Sequence, residues 1–394
     1  MNQETHLTMP RIYMDANATT PLLPEVIDAM RPYWLEAYGN ASSIHREGQT
    51  ARKGVEHARA AVAELLNCRD AEVVFNSGGT EGDNAAIFGL MRPGDHLITT
   101  SIEHSAVLAP ARKLAESGQD VTFIDPLPSG LISPKSIQAA LRPNTRLISV
   151  MLANNETGVL QPIREIAAIA RTAGAFLHVD AVQAAGKIPI DVEALGCHLL
   201  SISGHKMHAP KGVGALFVRR GTPLDPVQIG GSHERRRRAG TENVPGIVAL
   251  GRAAELALNS LADGAMLRLA QLRDRLEAGI LAQIPRTGVN GAGAPRVANT
   301  TNIWFDLVDT EALVIALDLK DIAVSGGSAC ASGSTDPSHV LMAMGLDKTR
   351  ARGSLRFSLL KTITEAEIDR ALAIVPAAVL HLRALSPQEA GTAG

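Results

Sequence analysis

Lys206 follows directly on an apolar run. The stretch Leu199-Leu200-Ser201-Ile202-Ser203-Gly204-His205-Lys206 reads as a buried strand broken by a glycine, with a His-Lys pair just past its end. A lysine at the carboxyl end of a buried strand lies where an open α/β sheet sets its active site. Lysine amines form Schiff bases with carbonyl cofactors, and pyridoxal phosphate (PLP) is the commonest of these. On its own, the stretch is equally a surface lysine in a loop.

Other strand ends carry polar groups of the matching kind. Glu103-His104 follows one apolar run, Asn154-Asn155-Glu156 a second, and His178-Val179-Asp180-Ala181-Val182-Gln183 closes a third. Four strands ending in polar side chains on one rim point to one site. A PLP enzyme needs an acid beside the pyridine nitrogen, which is Asp180, and a residue stacked on the ring, which is His104. Asn155 and Gln183 can reach the ring oxygen, and Thr80, Ser203 and His205 offer donors for the phosphate. The turn Ser77-Gly78-Gly79-Thr80 leads from a strand into a helix, so free N–H groups and the helix dipole make a phosphate seat there. Neither G-x-x-x-x-G-K-[ST] nor G-x-G-x-x-G accompanies it, so a nucleotide site has little support. His178, Asp180, His198, His205 and His208 also allow a metal cluster, although their spacings match no standard metal motif.

Two residues outside that rim stand out. Cys330 lies in Val324-Ser325-Gly326-Gly327-Ser328-Ala329-Cys330-Ala331-Ser332-Gly333-Ser334, a loop of small residues, and is the one candidate nucleophile. Arg356 sits in the strand-like Ser354-Leu355-Arg356-Phe357-Ser358 and calls for an anion, such as a substrate carboxylate. The run Glu234-Arg235-Arg236-Arg237-Arg238 reads as a solvated face.

The elements that must position these groups follow from period and punctuation. Strand-like runs at 72–76, 95–100, 121–125, 146–152, 175–180, 198–203 and 214–218 alternate with helical patterns. That alternation predicts a mostly parallel sheet flanked by helices. The spacing predicts one helix over 24–38 despite Pro32, and one long helix over about 245–280. A second, α+β unit follows, with strands near 301–307 and 354–359 and helices near 311–319, 338–344 and 364–385. An irregular tail is expected from 386 to 394.

At 394 residues two domains are expected. A net charge of -2 and 3% aromatic residues argue against nucleic acid and anionic membrane as partners. The first ten residues are polar and no run approaches the ~20 apolar residues of a membrane-spanning helix, so a cytoplasmic protein is expected. Three widely spaced cysteines, Cys68, Cys197 and Cys330, suit a reducing compartment and no disulfide framework.

Taken together, the chain resembles the cysteine desulfurases, a branch of the class V aminotransferase-like, fold-type I PLP enzymes. The resemblance rests on Tyr13 to Thr20, Ser77-Gly78-Gly79-Thr80-Glu81, Glu103 to Val107, Asn154-Asn155-Glu156-Thr157-Gly158, His178 to Gln183 and Ser203-Gly204-His205-Lys206. It continues through Gly240-Thr241-Glu242-Asn243, Ser328-Ala329-Cys330, Pro337 to Leu341 and Ser354 to Ser358. The nitrogen-fixation type looks most similar. The resemblance implies Lys206 as the Schiff-base lysine, His104 as stacking and acid–base residue, and Asp180 as the pyridinium partner. It implies Gly79, Thr80, Ser203 and His205 at the phosphate, Asn155 and Gln183 at the ring oxygen, and Arg356 with Asn155 at the substrate. Thr241 would reach the phosphate of a neighbouring subunit, which implies a homodimer. Cys330 would take sulfur from L-cysteine as a persulfide, releasing alanine, and pass it to an iron–sulfur scaffold or other acceptor protein. It would be at most a transient ligand of a shared [2Fe–2S] cluster. The implied domains are 16–262 for PLP, and 1–15 with 263–385 for a small domain carrying the acceptor loop 324–335. A selenocysteine lyase, a kynureninase-like lyase and a non-catalytic relative are the alternatives; the Ser-Ala-Cys loop speaks against the second. The chain departs from the family's usual residues at Ala16, Gly79, Ala239 and Leu360-Lys361.

Overall fold

The computed structural model describes residues 11–326 and 336–385. Residues 1–10, 327–335 and 386–394, among them Cys330 and the expected tail, lie outside the described residues.

Seven strands form the larger sheet, in the order Val73–Asn76, Gly214–Val218, Leu199–Ser203, Phe176–Asp180, Thr145–Met151, His96–Thr100 and Asp120–Ile124. Gly214–Val218 runs against both neighbours and the other pairings are parallel. Every residue of His96–Thr100, Leu199–Ser203 and Gly214–Val218 is buried. Strands covered by helices on both faces need side chains that tolerate burial everywhere, which is why they read as apolar runs rather than as alternations. The carboxyl ends of six of the strands share one rim.

Helices close the faces. Arg46–Leu66 lies against Val244–Ala262 so tightly that a Cβ on Gly251 would come 2.5 Å from Ala58 Cα. Two expected helices are each divided. Residues 24–38 hold Pro24–Met30 and Pro32–Leu35, because Pro32 brings no N–H to the first helix and starts the second at its first position. The 245–280 stretch is Val244–Ala262 followed by Ala265–Gln283, parted at Gly264, whose φ of +83° ends helical propagation.

The second unit is a four-stranded antiparallel sheet, ordered Ser325–Gly326, Ser354–Ser358, Thr300–Phe305 and Thr287–Val289. It has its own core, in which Leu276, Phe305, Leu317 and Phe357 meet Ile12 and Met14. The chain start joins it, since Ile12–Tyr13 pairs in parallel with Ile322–Ala323 and Asp15 bridges to Ser358. Among the described residues no helix is long and apolar enough to cross a membrane.

Candidate active site

The strand Leu199–Ser203 ends in a tight turn, Gly204–Lys206, that turns the lysine back toward the chain start. Lys206 Nζ donates to the backbone carbonyls of Asn17 and, at 2.7 Å, Ala18. Gln183 Nε2 donates to the same Asn17 carbonyl at 2.9 Å. The Asn17 side chain is occupied as well. Its Oδ1 accepts from Lys187 Nζ at 3.0 Å and from Asn299 Nδ2 at 3.0 Å, and its Nδ2 donates to the Asn155 carbonyl at 3.1 Å. Asn17 therefore ties Lys206, Gln183 and Asn155 into one network, a role for which the sequence stretch Tyr13 to Thr20 did not single it out.

Asp180 is the last residue of its strand and only 6% exposed. Its Oδ1 accepts from Val182 N at 2.8 Å, and among the described residues no basic group pairs with it. Burial, reinforced by the charge of Asp83, pushes its carboxyl up to about 7. A protonated ring nitrogen beside it would supply the missing cation and restore the carboxylate. Behind it, the fully buried His178 meets Ser149 Oγ at 2.8 Å, Ser201 Oγ at 3.0 Å and Asp83 Oδ1 at 3.4 Å. His178 is thus engaged inside the sheet, while His208 turns to the Pro21 carbonyl and His198 packs edge-on against Phe176. Among the described residues no three His, Cys, Asp or Glu side chains are placed to hold a metal ion. Glu103, also fully buried, accepts from Thr100 Oγ1 at 2.7 Å and Met151 N at 3.0 Å, and burial holds its carboxyl well above the usual range. Glu103 was legible only as a polar residue at a strand end, and Asp83 gave no sequence signal of its own, since its burial depends on how the helix 79–90 packs on the sheet.

His104 caps the helix Ser105–Glu116, its Nδ1 accepting from Ala106 N at 3.1 Å, which leaves Nε2 as the ring's N–H in the neutral form. His205 Nδ1 lies 3.2 Å from Thr19 Oγ1, and burial together with the Lys206 charge lowers the ring to about 4, so it is neutral.

The phosphate seat is formed where Gly79–Leu90 begins. Gly78 has φ +145°, its helix has no side-chain cap, and Thr80 is exposed at the first turn. A Cβ on Gly79 would come 2.6 Å from Val182 Cγ2, so the close approach of this turn to the Asp180 loop calls for glycine. Ser203 Oγ lies 3.5 Å from where a Cβ on Gly78 would stand, on the same side. Uncapped N–H groups, a hydroxyl and a neutral imidazole make a fitting cradle for a phosphate.

Arg356 is 2% exposed, with Nη1 donating to the Asn155 carbonyl at 3.0 Å and Nη2 to Asp15 Oδ1 at 2.7 Å. Among the described residues its buried Nε and the buried Asn155 Oδ1 have no hydrogen-bond partner. Orphaned polar atoms of this kind mark space meant for another polar group. The residues present therefore fit PLP and a substrate carboxylate.

One expected site residue, Thr241, is not brought to the rim. Thr241 is exposed on a separate loop and, among the described residues, bonds to none of these groups. Cys330 lies outside the described residues. The arginine run is also not simply a solvated face. Its first residue, Glu234, is buried and takes a two-pronged bond from Arg59 at 2.8 Å on each oxygen.

The aminotransferase class-V pattern matches residues 12–371. The chain belongs to that family. Within it the chain is 50% identical over 382 residues to "Cysteine desulfurase 2" of Trichormus variabilis, covering 96% of each chain. A solved "NIFS-LIKE PROTEIN" superposes with a TM-score of 0.87 at 34% identity, covering 94% of this chain and all of that one. "SspA in complex with cysteine" has a TM-score of 0.79 at 35% identity over 88% of this chain and 98% of that one. The family is thus that of the cysteine desulfurases, with the fold-type I architecture.

Proposed function

We propose that the chain is a PLP-dependent cysteine desulfurase that converts L-cysteine to L-alanine and stores the sulfur on Cys330. The observation that carries this reading is the shared rim: Lys206, Gln183 and Asn155 joined through Asn17, the buried Asp180 that among the described residues no Lys or Arg pairs with, and the uncapped helix start beside Ser203. The cysteine-bound relative and the desulfurase relatives support the substrate.

PLP, when bound, supplies the electron sink that makes the substrate Cα–H acidic and its Cβ–S bond labile. Asp180 would keep the proton on the ring nitrogen. Gln183 and Asn155 would hold the ring oxygen, Gly79, Thr80, Ser203 and His205 the phosphate, and His104 would stack on the ring. Arg356 orients the substrate carboxylate. Lys206 Nζ would hold the cofactor and, when free, is the base placed to take the substrate Cα proton. The Cys330 thiolate attacks the substrate sulfur: an S–S bond forms as Cβ–S breaks, and the three-carbon remainder takes up two protons, one at Cβ and one returned to Cα, and leaves as alanine. A loop of Gly and Ser residues suits a thiol that must visit the substrate and then an acceptor.

The finer reading adds a cytoplasmic homodimer, with Thr241 serving the partner's phosphate, and 16–262 as the cofactor domain. It adds delivery of sulfur to an iron–sulfur scaffold, where Cys330 is at most a transient [2Fe–2S] ligand. The test compares alanine and sulfide release from L-cysteine, with reductant, by the native protein and by Cys330→Ala. Both products from the native chain and neither from the variant are expected. Equal release by the two would remove Cys330 from the reaction. Lys206→Ala should be inactive; turnover by it would overturn the assignment.

A further inference from the structure

Lys187 has no part in the desulfurase reading, yet it is placed beside the site. It lies four residues after Gln183, is 9% exposed, and donates from Nζ to Gln183 Oε1 at 2.8 Å and to Asn17 Oδ1 at 3.0 Å. Among the described residues no carboxylate pairs with it. The charged groups around it are basic: Lys206 and Arg356 repel a proton there, and His208 and Lys361 line the same cleft. Asp15, the carboxylate of the neighbouring turn, is taken by Arg356. Two acceptors match the two N–H bonds of a neutral amine, whereas the third N–H of an ammonium has no acceptor among the described residues. Burial, with the Lys206 charge, holds Lys187 well below the usual lysine range.

The consequence concerns Gln183. A primary amide can present either end, and the wrong end would set an acceptor against the ring oxygen. Lys187 can only donate to Gln183 Oε1, and the Asn17 carbonyl can only accept from Nε2. We propose that Lys187 is a positioning residue: as a neutral amine it fixes the Gln183 amide with Oε1 turned inward, so that Nε2 is the end offered to the cofactor's ring oxygen. The proposal rests on the reading of Gln183 as a ring-oxygen ligand.

The full-length chain, stripped of cofactor and titrated with PLP, tests it through affinity and through the yellow absorption of the bound cofactor. Lys187→Met and Gln183→Ala should each weaken PLP binding about tenfold, the loss of one oriented hydrogen bond. The double variant should bind no more weakly than Gln183→Ala alone, because Lys187 acts through that amide. Native affinity in Lys187→Met, or a further full tenfold loss in the double variant, would overturn the proposal. Native affinity in Gln183→Ala would instead sink the ring-oxygen reading, and the proposal with it. Lys187→Gln keeps a donor and should recover part of the loss, and it serves where the methionine variant does not fold. Urea unfolding of the cofactor-free chains gives a readout without PLP. A lysine neutral when folded and charged when unfolded makes the native chain gain stability, relative to Lys187→Met, as pH rises from 7 toward about 10. A flat difference would show an ammonium there and overturn the proposal.

Discussion

Arg356 Nη2 donates to Asp15 Oδ1 at 2.7 Å, joining positions 341 residues apart in the sequence. The guanidinium is thus already neutralised on one prong, and an incoming carboxylate must share it with Asp15. Arg356→Lys keeps the charge and loses the planar fork. We expect kcat/KM for L-cysteine to fall about 30- to 150-fold, the equivalent of ~2–3 kcal/mol of charge-assisted bonding. Asp15→Asn removes the competitor, so its KM should drop about threefold. A raised KM in steady-state assays of Asp15→Asn would mean that Asp15 holds the arginine in place instead of competing for it.

Glu156 is 2% exposed, takes a hydrogen bond from Ser338 Oγ, and is pushed up to about 7 by burial. The folded chain then keeps a proton that the unfolded chain releases near pH ~4.3. Folding binds that proton between the two values, so the stabilisation is complete below the unfolded value and is lost as pH rises through about 7. Relative to Glu156→Gln, the cofactor-free native chain should lose about 1–3 kcal/mol between pH 5 and 8 in urea unfolding. An unchanging difference would show that the carboxyl is ionised throughout.

Much of this architecture is written in the chain, and for identifiable reasons. Strands buried on both faces leave apolar runs such as Leu199–Ser203, and the rim residues follow those runs directly, so Lys206, Asp180, Gln183 and Asn155 could be read together. Arg356 was legible because a charge inside a buried strand needs a counterpart. What escaped was tertiary. Asn17, Lys187 and Asp83 have ordinary local surroundings, and their meaning comes from contacts made more than a hundred residues away or across helix and sheet. The breaks at Pro32 and Gly264 escaped for a different reason, because the apolar period continues across both.

Thiol chemistry offers a clean check on Cys330. Cys68 and Cys197 are both raised to about 12, chiefly by burial, and Cys197 is fully buried. Thiolate is the reactive form, so neither should alkylate at neutral pH in the folded chain. Brief iodoacetamide treatment followed by peptide mass analysis should find a single label, on Cys330, and none in Cys330→Ala. Rapid labelling of Cys197 in the folded chain would contradict this burial.

The Arg59–Glu234 pair holds an unfavourable backbone. Glu234, Arg235 and Arg236 have φ of +44°, +57° and +67°, a left-handed run without glycine. Glu234 Oε2 also accepts from Phe75 N at 2.9 Å, which anchors the loop to the first strand of the sheet. Arg59→Ala leaves Glu234 buried and unpaired and should cost ~3–5 kcal/mol in urea unfolding. Arg59→Met with Glu234→Leu should cost less than Arg59→Ala, since no charge is then stranded.

The meeting of residues 15–17 with 356–358 also bears on how the protein is made. Asn17 N donates to Ser358 Oγ at 2.9 Å, and Ser358 N to the Met14 carbonyl at 2.8 Å. During synthesis residues 14–17 leave the ribosome well before their partner strand, which lies 341 residues further on. Until then the Lys206 turn lacks the closing half of its surroundings, however well the larger sheet has folded. The reactive centre is therefore complete only once Arg356 and Ser358 have been made, and a chain that stops short of Arg356 carries the lysine without the two residues that close around it.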